Sequence, residues 1–318
     1  MKIAVIGLGS AGRRHALNAL ELGHDVVGFD PEAEDTPGVS RVATIDDAVA
    51  QADVVIVASP SSLHAEQALL ALSSGRHTLV EKPLGVTVAE ATRVVEAAAN
   101  TKAICGVAMN LRFHRGVVGL RALLEDGTLG TPRFVRATFG YDLRLWRPDT
   151  DYRTSYSAQA ALGGGILLDA VHELDYLLWL LGPVTSVTAE LDRVSGLEID
   201  VEDTALLALR FASGVLGAVD LNYLEPAYRR GCIVVGSAAV ASWDWNTATI
   251  SVRRGDDERE FDVAGNVADT YRAVLEDFLS AASSARDPRT SAGDGLAALQ
   301  VVDAARRSAS RGQRVAVA

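Results

Sequence analysis

The stretch from Lys2 to Leu22 constrains this chain more than any other. KIAVIG, residues 2–7, is a short apolar run that ends in glycine, the pattern of a buried parallel strand. It passes through Gly7-Leu8-Gly9-Ser10-Ala11-Gly12 straight into a helical segment, 11–22, that Gly23 can stop. A lone GxGxxG says little, but between a strand and a helix each glycine has a physical task. Gly7 permits the tight turn, Gly9 lets the backbone approach a pyrophosphate, and Gly12 lets the helix pack on the strand. The helix start at Ser10 and Ala11 then offers unpaired N–H groups and a partial positive charge to an anion. The ordinary alternative is a glycine-rich turn that binds nothing. Asp30 ends the next apolar run, 18 residues beyond Gly12. A carboxylate there accepts hydrogen bonds from an adenosine ribose and repels a 2′-phosphate, which favours NAD over NADP. Otherwise Asp30 is a turn residue before Pro31.

The pattern continues as strand, helix, strand through residue 108. Strands are predicted at 25–30, 53–58, 77–80 and 103–108, with helices near 45–52, 62–73 and 87–99. Such alternation predicts a doubly wound parallel sheet with helices on both faces, an α/β Rossmann domain. After residue 112 the rhythm changes. A helix at 115–125 leads into a long strand, PRFVRATFGY, and strands follow at 184–192, 203–211, 215–223, 230–237 and 249–253. Tight turns such as Ala212-Ser213-Gly214 join several of them, which predicts a large, mostly antiparallel sheet in an α+β domain. Helices are expected at 167–181, 268–283 and 293–308. The predicted division is 1–120 for dinucleotide binding and 121–318 for substrate binding and oligomerisation, a length that suits two domains.

Bulk properties narrow the partners. The net charge of −11 argues against nucleic acid or an anionic membrane surface as the main partner. Two cysteines, Cys105 and Cys232, both in apolar runs, read as buried free thiols rather than a disulfide framework. No leader pattern and no apolar stretch of spanning length stand out, so a cytoplasmic protein is expected.

Other candidate groups cluster at predicted strand ends, where open α/β sheets bind ligands. Ser59 and Pro60 follow the 53–58 strand and are candidates for the nicotinamide-ribose side. His64, just beyond, supports that site or serves structure alone, and Ser61 or Ser62 can be a helix N-cap. Lys82, in Glu81-Lys82-Pro83, follows the 77–80 strand, and the proline restricts its backbone. Such an amine can stabilise an alkoxide that develops during hydride transfer. In the predicted helix after Gly163-Gly164-Gly165, Asp169 and His172 are spaced i,i+3 and share a face. The carboxylate can orient the imidazole as a base, while the ordinary alternative is a surface ion pair. Asp175 reads as structural. No compact ligand cluster such as HExxH suggests a metal, and no GxSxG elbow suggests hydrolysis.

Taken in order, GLGSAGRRHA, ASPSSLH, EKPLG and GGGILLDAVHELD resemble the Gfo/Idh/MocA oxidoreductases along essentially the whole chain. The resemblance implies a Rossmann domain followed by a domain with a large sheet whose open face forms dimers or tetramers. It implies Lys82 as the catalytic lysine, His172 as the catalytic histidine and Asp169 as the acid near it. Glu81 and Asn110 match positions near the nicotinamide, and a cis Lys82–Pro83 bond is expected. Many members separate the aspartate and histidine by four residues, against three here. Arg112, Trp146, Tyr152, Arg153 and Tyr156, with Ser157, are candidates for the substrate pocket or ordinary loop residues. The expected activity is NAD-dependent oxidation of a secondary alcohol on a sugar, sugar derivative or cyclitol. Its rivals are an NAD-dependent glycosidase that oxidises transiently and eliminates, and a non-catalytic dinucleotide-sensing regulator.

Overall fold

The computed structural model describes residues 1–318. Through Asn110 the chain forms β1 (Lys2–Ile6), α1 (Ser10–Glu21), β2 (Asp25–Phe29), β3 (Ser40–Arg41), α2 (Ile45–Gln51), β4 (Val54–Val57), α3 (His64–Ser73), β5 (His77–Val80), α4 (Val88–Ala99) and β6 (Cys105–Val107). The six strands are all parallel, in the order β3-β2-β1-β4-β5-β6. This is the dinucleotide-binding order, with its topological switch between β1 and β4. The central strands β1 and β4 are almost continuous runs of Val, Ile and Ala because both faces are covered. Thr44 and Thr87 cap α2 and α4 by accepting from the N–H groups of Asp47 and Glu90.

Beyond Asn110 come α5 (Arg115–Glu125), β7 (Pro132–Gly140), the single turn α6 (Leu143–Trp146), α7 (Ile166–Asp169) and α8 (Val171–Leu181). The strands β8 (Val184–Asp192), β9 (Thr204–Phe211), β10 (Leu216–Asn222), β11 (Arg229–Gly236), β12 (Val240–Asp244), β13 (Thr249–Arg254) and β14 (Asp257–Asp262) follow. With β15 (Val315–Ala316) they form a nine-stranded sheet, β14-β13-β12-β11-β7-β10-β9-β8-β15. Every pairing is antiparallel except β7 with β10. Burial alternates along β9, with Ala205, Leu207, Leu209 and Phe211 inward and Leu206, Ala208 and Arg210 outward, as a one-sided sheet requires.

Two helices close the chain, α9 (Val267–Ser284) and α10 (Ala292–Arg311). Residues 267–299 group with 1–110 in one compact unit, and 111–266 with 300–318 in the other. The sequence placed all of 121–318 in the second domain. The reason for the difference is apolar: Leu275, Phe278 and Leu279 of α9 belong to the core built by Ile3, Val5, Ile56, Leu79 and Ala16. Three further points differ from expectation. The helix expected over 167–181 is two helices, interrupted at Ala170 (φ −95°, ψ 25°). Strand β14, DEREFD, is exposed along its whole length and has no apolar alternation to reveal it. Strand β12 is short, and only Ala241 and Trp243 face inward. No helix is long and apolar enough to cross a membrane.

Candidate active site

In the first unit the candidate groups lie at the carboxyl ends of neighbouring strands. Gly7 leaves β1 at φ +87°, and a Cβ there would lie 2.6 Å from the backbone nitrogen of Ser59. A Cβ on Gly12 would overlap the Gly7 carbonyl oxygen. Both glycines are therefore required for α1 to seat against β1 and β4. Gly9 is the N-cap of α1, with no side-chain cap bond and no acidic residue in the first turn. Its exposed position, with Ser10 beside it, leaves the helix N–H groups and their partial charge available to a phosphate. That arrangement fits the pyrophosphate of a dinucleotide.

Asp30 follows β2. Its Oδ2 accepts from the Leu8 N–H at 2.7 Å, and Oδ1 accepts from the N–H groups of Glu32 and Ala33 at 2.9 Å. Burial raises its pKa, but these amides and Arg41 outweigh that, so the carboxyl is held below its ordinary value. Asp30 thus stays anionic beside the glycine turn, as the expected preference for an unphosphorylated ribose requires.

Ser59 and Pro60 follow β4. Ser59 Oγ donates to Gln67 at 2.7 Å. Pro60 is the N-cap of the helical turn that begins at Ser61 and Leu63 that of α3, so neither Ser61 nor Ser62 takes an N-cap position. His64 is buried, with Nδ1 2.7 Å from the Pro83 carbonyl and Nε2 2.9 Å from the Ser59 carbonyl. Both ring nitrogens face backbone carbonyls, which braces the two loops and suits the structural alternative for this residue. Burial first, opposed by those carbonyls, holds its pKa below the ordinary value.

Glu81-Lys82-Pro83 follows β5, and the Lys82–Pro83 bond is cis. Glu81 points inward: Oε1 lies 2.7 Å from His15 Nε2, and Oε2 accepts from the Lys82 N–H at 3.1 Å. Burial raises its pKa, and His15 and Lys82 more than offset this, so it remains a carboxylate. Asn110 is also turned inward, donating to Thr270 Oγ1 of α9 at 2.7 Å. The side-chain bonds of Glu81 and Asn110 therefore run to protein groups. Lys82 is half-buried.

The second unit builds its candidates from side chains. A Cβ on Gly164 would overlap the Tyr156 carbonyl, and one on Gly165 (φ +106°) would lie 2.5 Å from Glu202 Oε1. The bare glycines allow Gly165 and Ile166 to bond Ser157 and Glu202 through their backbone, which fixes α7. Asp169 ends α7, and His172 lies in the first turn of α8. The interruption at Ala170 means they do not share one continuous helical face, which corrects that part of the expectation. Asp169 Oδ2 accepts a 2.5 Å hydrogen bond from Tyr223, at the end of β10. Burial, with Asp169 adding to it, pushes the Tyr223 pKa well above its ordinary value, so the phenol stays a donor. Trp146 and Tyr223 meet in a T-shaped contact with ring centroids 5.4 Å apart. His172 and Asp169 are both buried.

Next to His172, Glu173 is fully buried and accepts from Arg230 Nε at 2.8 Å. Two residues on, Asp175 accepts from Arg112 Nε and Nη2. Arg112 is 3% exposed and paired with Asp175, which suits the ordinary structural alternative for it. Arg153 is exposed and paired with Asp151 and Glu198, and Tyr152 Oη accepts from the Glu198 N–H. Tyr156 lies under Arg147, whose guanidinium is 5.8 Å from its ring centre. Sequence reasoning missed Tyr223, Glu173, Arg230 and His15. Only His15, inside the glycine-helix motif, carried a local signal.

Residues 1–109 match the family described as oxidoreductase family, NAD-binding Rossmann fold, and residues 117–242 match the GFO/IDH/MocA C-terminal domain. The chain is similar to myo-inositol 2-dehydrogenase of Thermotoga maritima, 29% identical over 334 aligned positions, covering 97% of this chain and 96% of that protein. It is 30% identical over 346 positions to inositol 2-dehydrogenase 2 of Saccharopolyspora erythraea, covering 100% of this chain and 95% of that one. Levoglucosan dehydrogenase, solved in complex with NADH, shares the fold with a TM-score of 0.90 at 22% identity, over 100% of this chain and 99% of that chain.

Proposed function

The chain belongs to the GFO/IDH/MocA oxidoreductase family, and from that premise we propose that it moves a hydride between NAD and a secondary alcohol or ketone of a sugar, sugar derivative or cyclitol. The observation that carries this reading is the shared edge of the parallel sheet. The glycine turn after β1, Asp30 after β2, Ser59 after β4 and Lys82 after β5 all lie at strand carboxyl ends. NAD, when bound, supplies the hydride acceptor for oxidation and, as NADH, the donor for reduction. The N–H groups of Ser10 and Ala11 would hold its phosphates, and Asp30 would hold the adenosine ribose. Lys82 Nζ donates to the substrate oxygen and stabilises negative charge as it develops there. His172 accepts the hydroxyl proton in oxidation and returns it in reduction. Asp169, held by the Tyr223 hydroxyl, serves as the acid near His172 that orients the imidazole.

The substrate class rests on the named relatives, and an alcohol with several hydroxyls suits a second unit that supplies Trp146, Tyr152, Tyr156 and Ser157. Homo-oligomerisation is part of the same proposal. The outward side of the nine-stranded sheet carries Leu206, 52% exposed, beside a depression of about 490 Å³ lined by Arg136, Thr138, Ala208 and Ala218. A cytoplasmic setting suits the two free, buried thiols.

Lys82→Ala tests the assignment. Turnover across a panel of sugars and polyols, followed at the reduced-nicotinamide band, is expected to collapse while calorimetry still detects NAD binding. Wild-type turnover by Lys82→Ala removes the lysine from the mechanism.

A further inference from the structure

His15 lies 66 residues from Glu81, fully buried, in the second turn of the helix that opens at the glycine motif. We infer that His15 is a positioning residue for Lys82, acting through Glu81 to tie the phosphate-binding helix to the turn that presents the amine. The inference rests on Lys82 acting at the substrate oxygen.

The geometry has three parts. First, α1 cannot shift freely, because Gly12 and Gly7 meet backbone with no space for a methyl group. Second, the Glu81 carboxylate is used at both oxygens, on His15 Nε2 at one and on the backbone N–H of Lys82 at the other. The link therefore runs from α1 to the very residue that carries the amine. Third, His15 Nδ1 is buried with no hydrogen-bond partner, so the bond to Glu81 is the ring's polar anchor. The ring is seated edge-on against Tyr271 of α9, 6.3 Å between centroids, and Arg14 covers the same tyrosine at 4.1 Å. A core pair kept only for packing has no need of a carboxylate. Burying one is costly unless both oxygens are satisfied, and here one of the two satisfying groups belongs to Lys82.

The charged and titratable groups facing Glu81 are His15 from α1, Lys82 from its own turn and His64 from α3. Removing the His15 donor removes the largest of the influences that oppose burial at Glu81, so its carboxyl takes up a proton at higher pH. Lys82 then loses a neighbouring negative charge, and its ammonium form is less favoured.

The chain has only three lysines, Lys2, Lys82 and Lys102. Reductive methylation with ¹³C-formaldehyde therefore gives a carbon spectrum simple enough to follow the Lys82 amine by pH titration, without any substrate. In His15→Phe, which keeps the ring but not the donor, the Lys82 midpoint should move down, with the Lys2 and Lys102 signals unmoved. His15→Gln, which keeps an N–H, should restore the wild-type midpoint. Glu81→Gln should lower it as His15→Phe does, and the double variant should move it no further. NAD binding by calorimetry should be preserved in the folded variants. In turnover assays His15→Phe should lower kcat by on the order of 10²-fold with KM little changed, the cost of a small misplacement of a reacting group. A Lys82 titration in His15→Phe identical to wild type overturns the inference, whatever the turnover. An inactive Lys82→Ala beside a fully active His15→Phe also overturns it. A fully active Lys82→Ala with the NMR coupling intact instead defeats the catalytic assignment of Lys82 and leaves the link between His15 and Lys82 standing.

Discussion

The two units hold their candidate groups by different means. In the first, placement comes mainly from backbone: glycines with no space for a Cβ, a helix start without a side-chain cap, and turns at the ends of four parallel strands. In the second, it comes from side chains distant in sequence. Tyr223 reaches Asp169 across 54 residues, Arg230 reaches Glu173 across 57, and Arg112 reaches Asp175 across 63. Backbone placement leaves almost no tolerance, because a single methyl group meets an immovable carbonyl. Side-chain placement degrades by steps, as each bond carries a limited share.

The sharpest way to break this contrast is Gly12→Ala. Its new methyl would occupy the space of the Gly7 carbonyl, so the loss of stability should exceed about 4 kcal/mol, in the range reserved for severe core defects. Thermal unfolding and NAD calorimetry check it, and an unchanged melting temperature would show that α1 can move away after all. Asp175→Asn comes next. It takes the paired carboxylate from the buried Arg112, at a cost of roughly 3–5 kcal/mol in urea unfolding. A variant as stable as wild type would mean that water or another group replaces the carboxylate. Smallest is Tyr223→Phe, which removes one donor from Asp169 and should cost about 1–3 kcal/mol. Its effect should fall on kcat more than on NAD affinity, since Asp169 belongs to the unit that does not carry the glycine turn. An equal loss of NAD affinity would erase the distinction between the units.

What the sequence determined by itself follows the same division. KIAVIGLGSAG, DVVGFD and LVEKP carry the Rossmann order, the helix start and the lysine turn, because strand, turn and ligand contact there lie within a few residues of one another. Apolar periodicity also fixed most of the antiparallel strands. Tertiary structure alone decided that α9 joins the first core, that the Asp169 segment breaks at Ala170, and that Arg112 serves Asp175. It also decided which partners fix Asp169, Glu173 and Glu81. These depend on where chain segments more than 50 residues apart come to rest. A single sequence without that packing holds no local pattern from which to read such a contact.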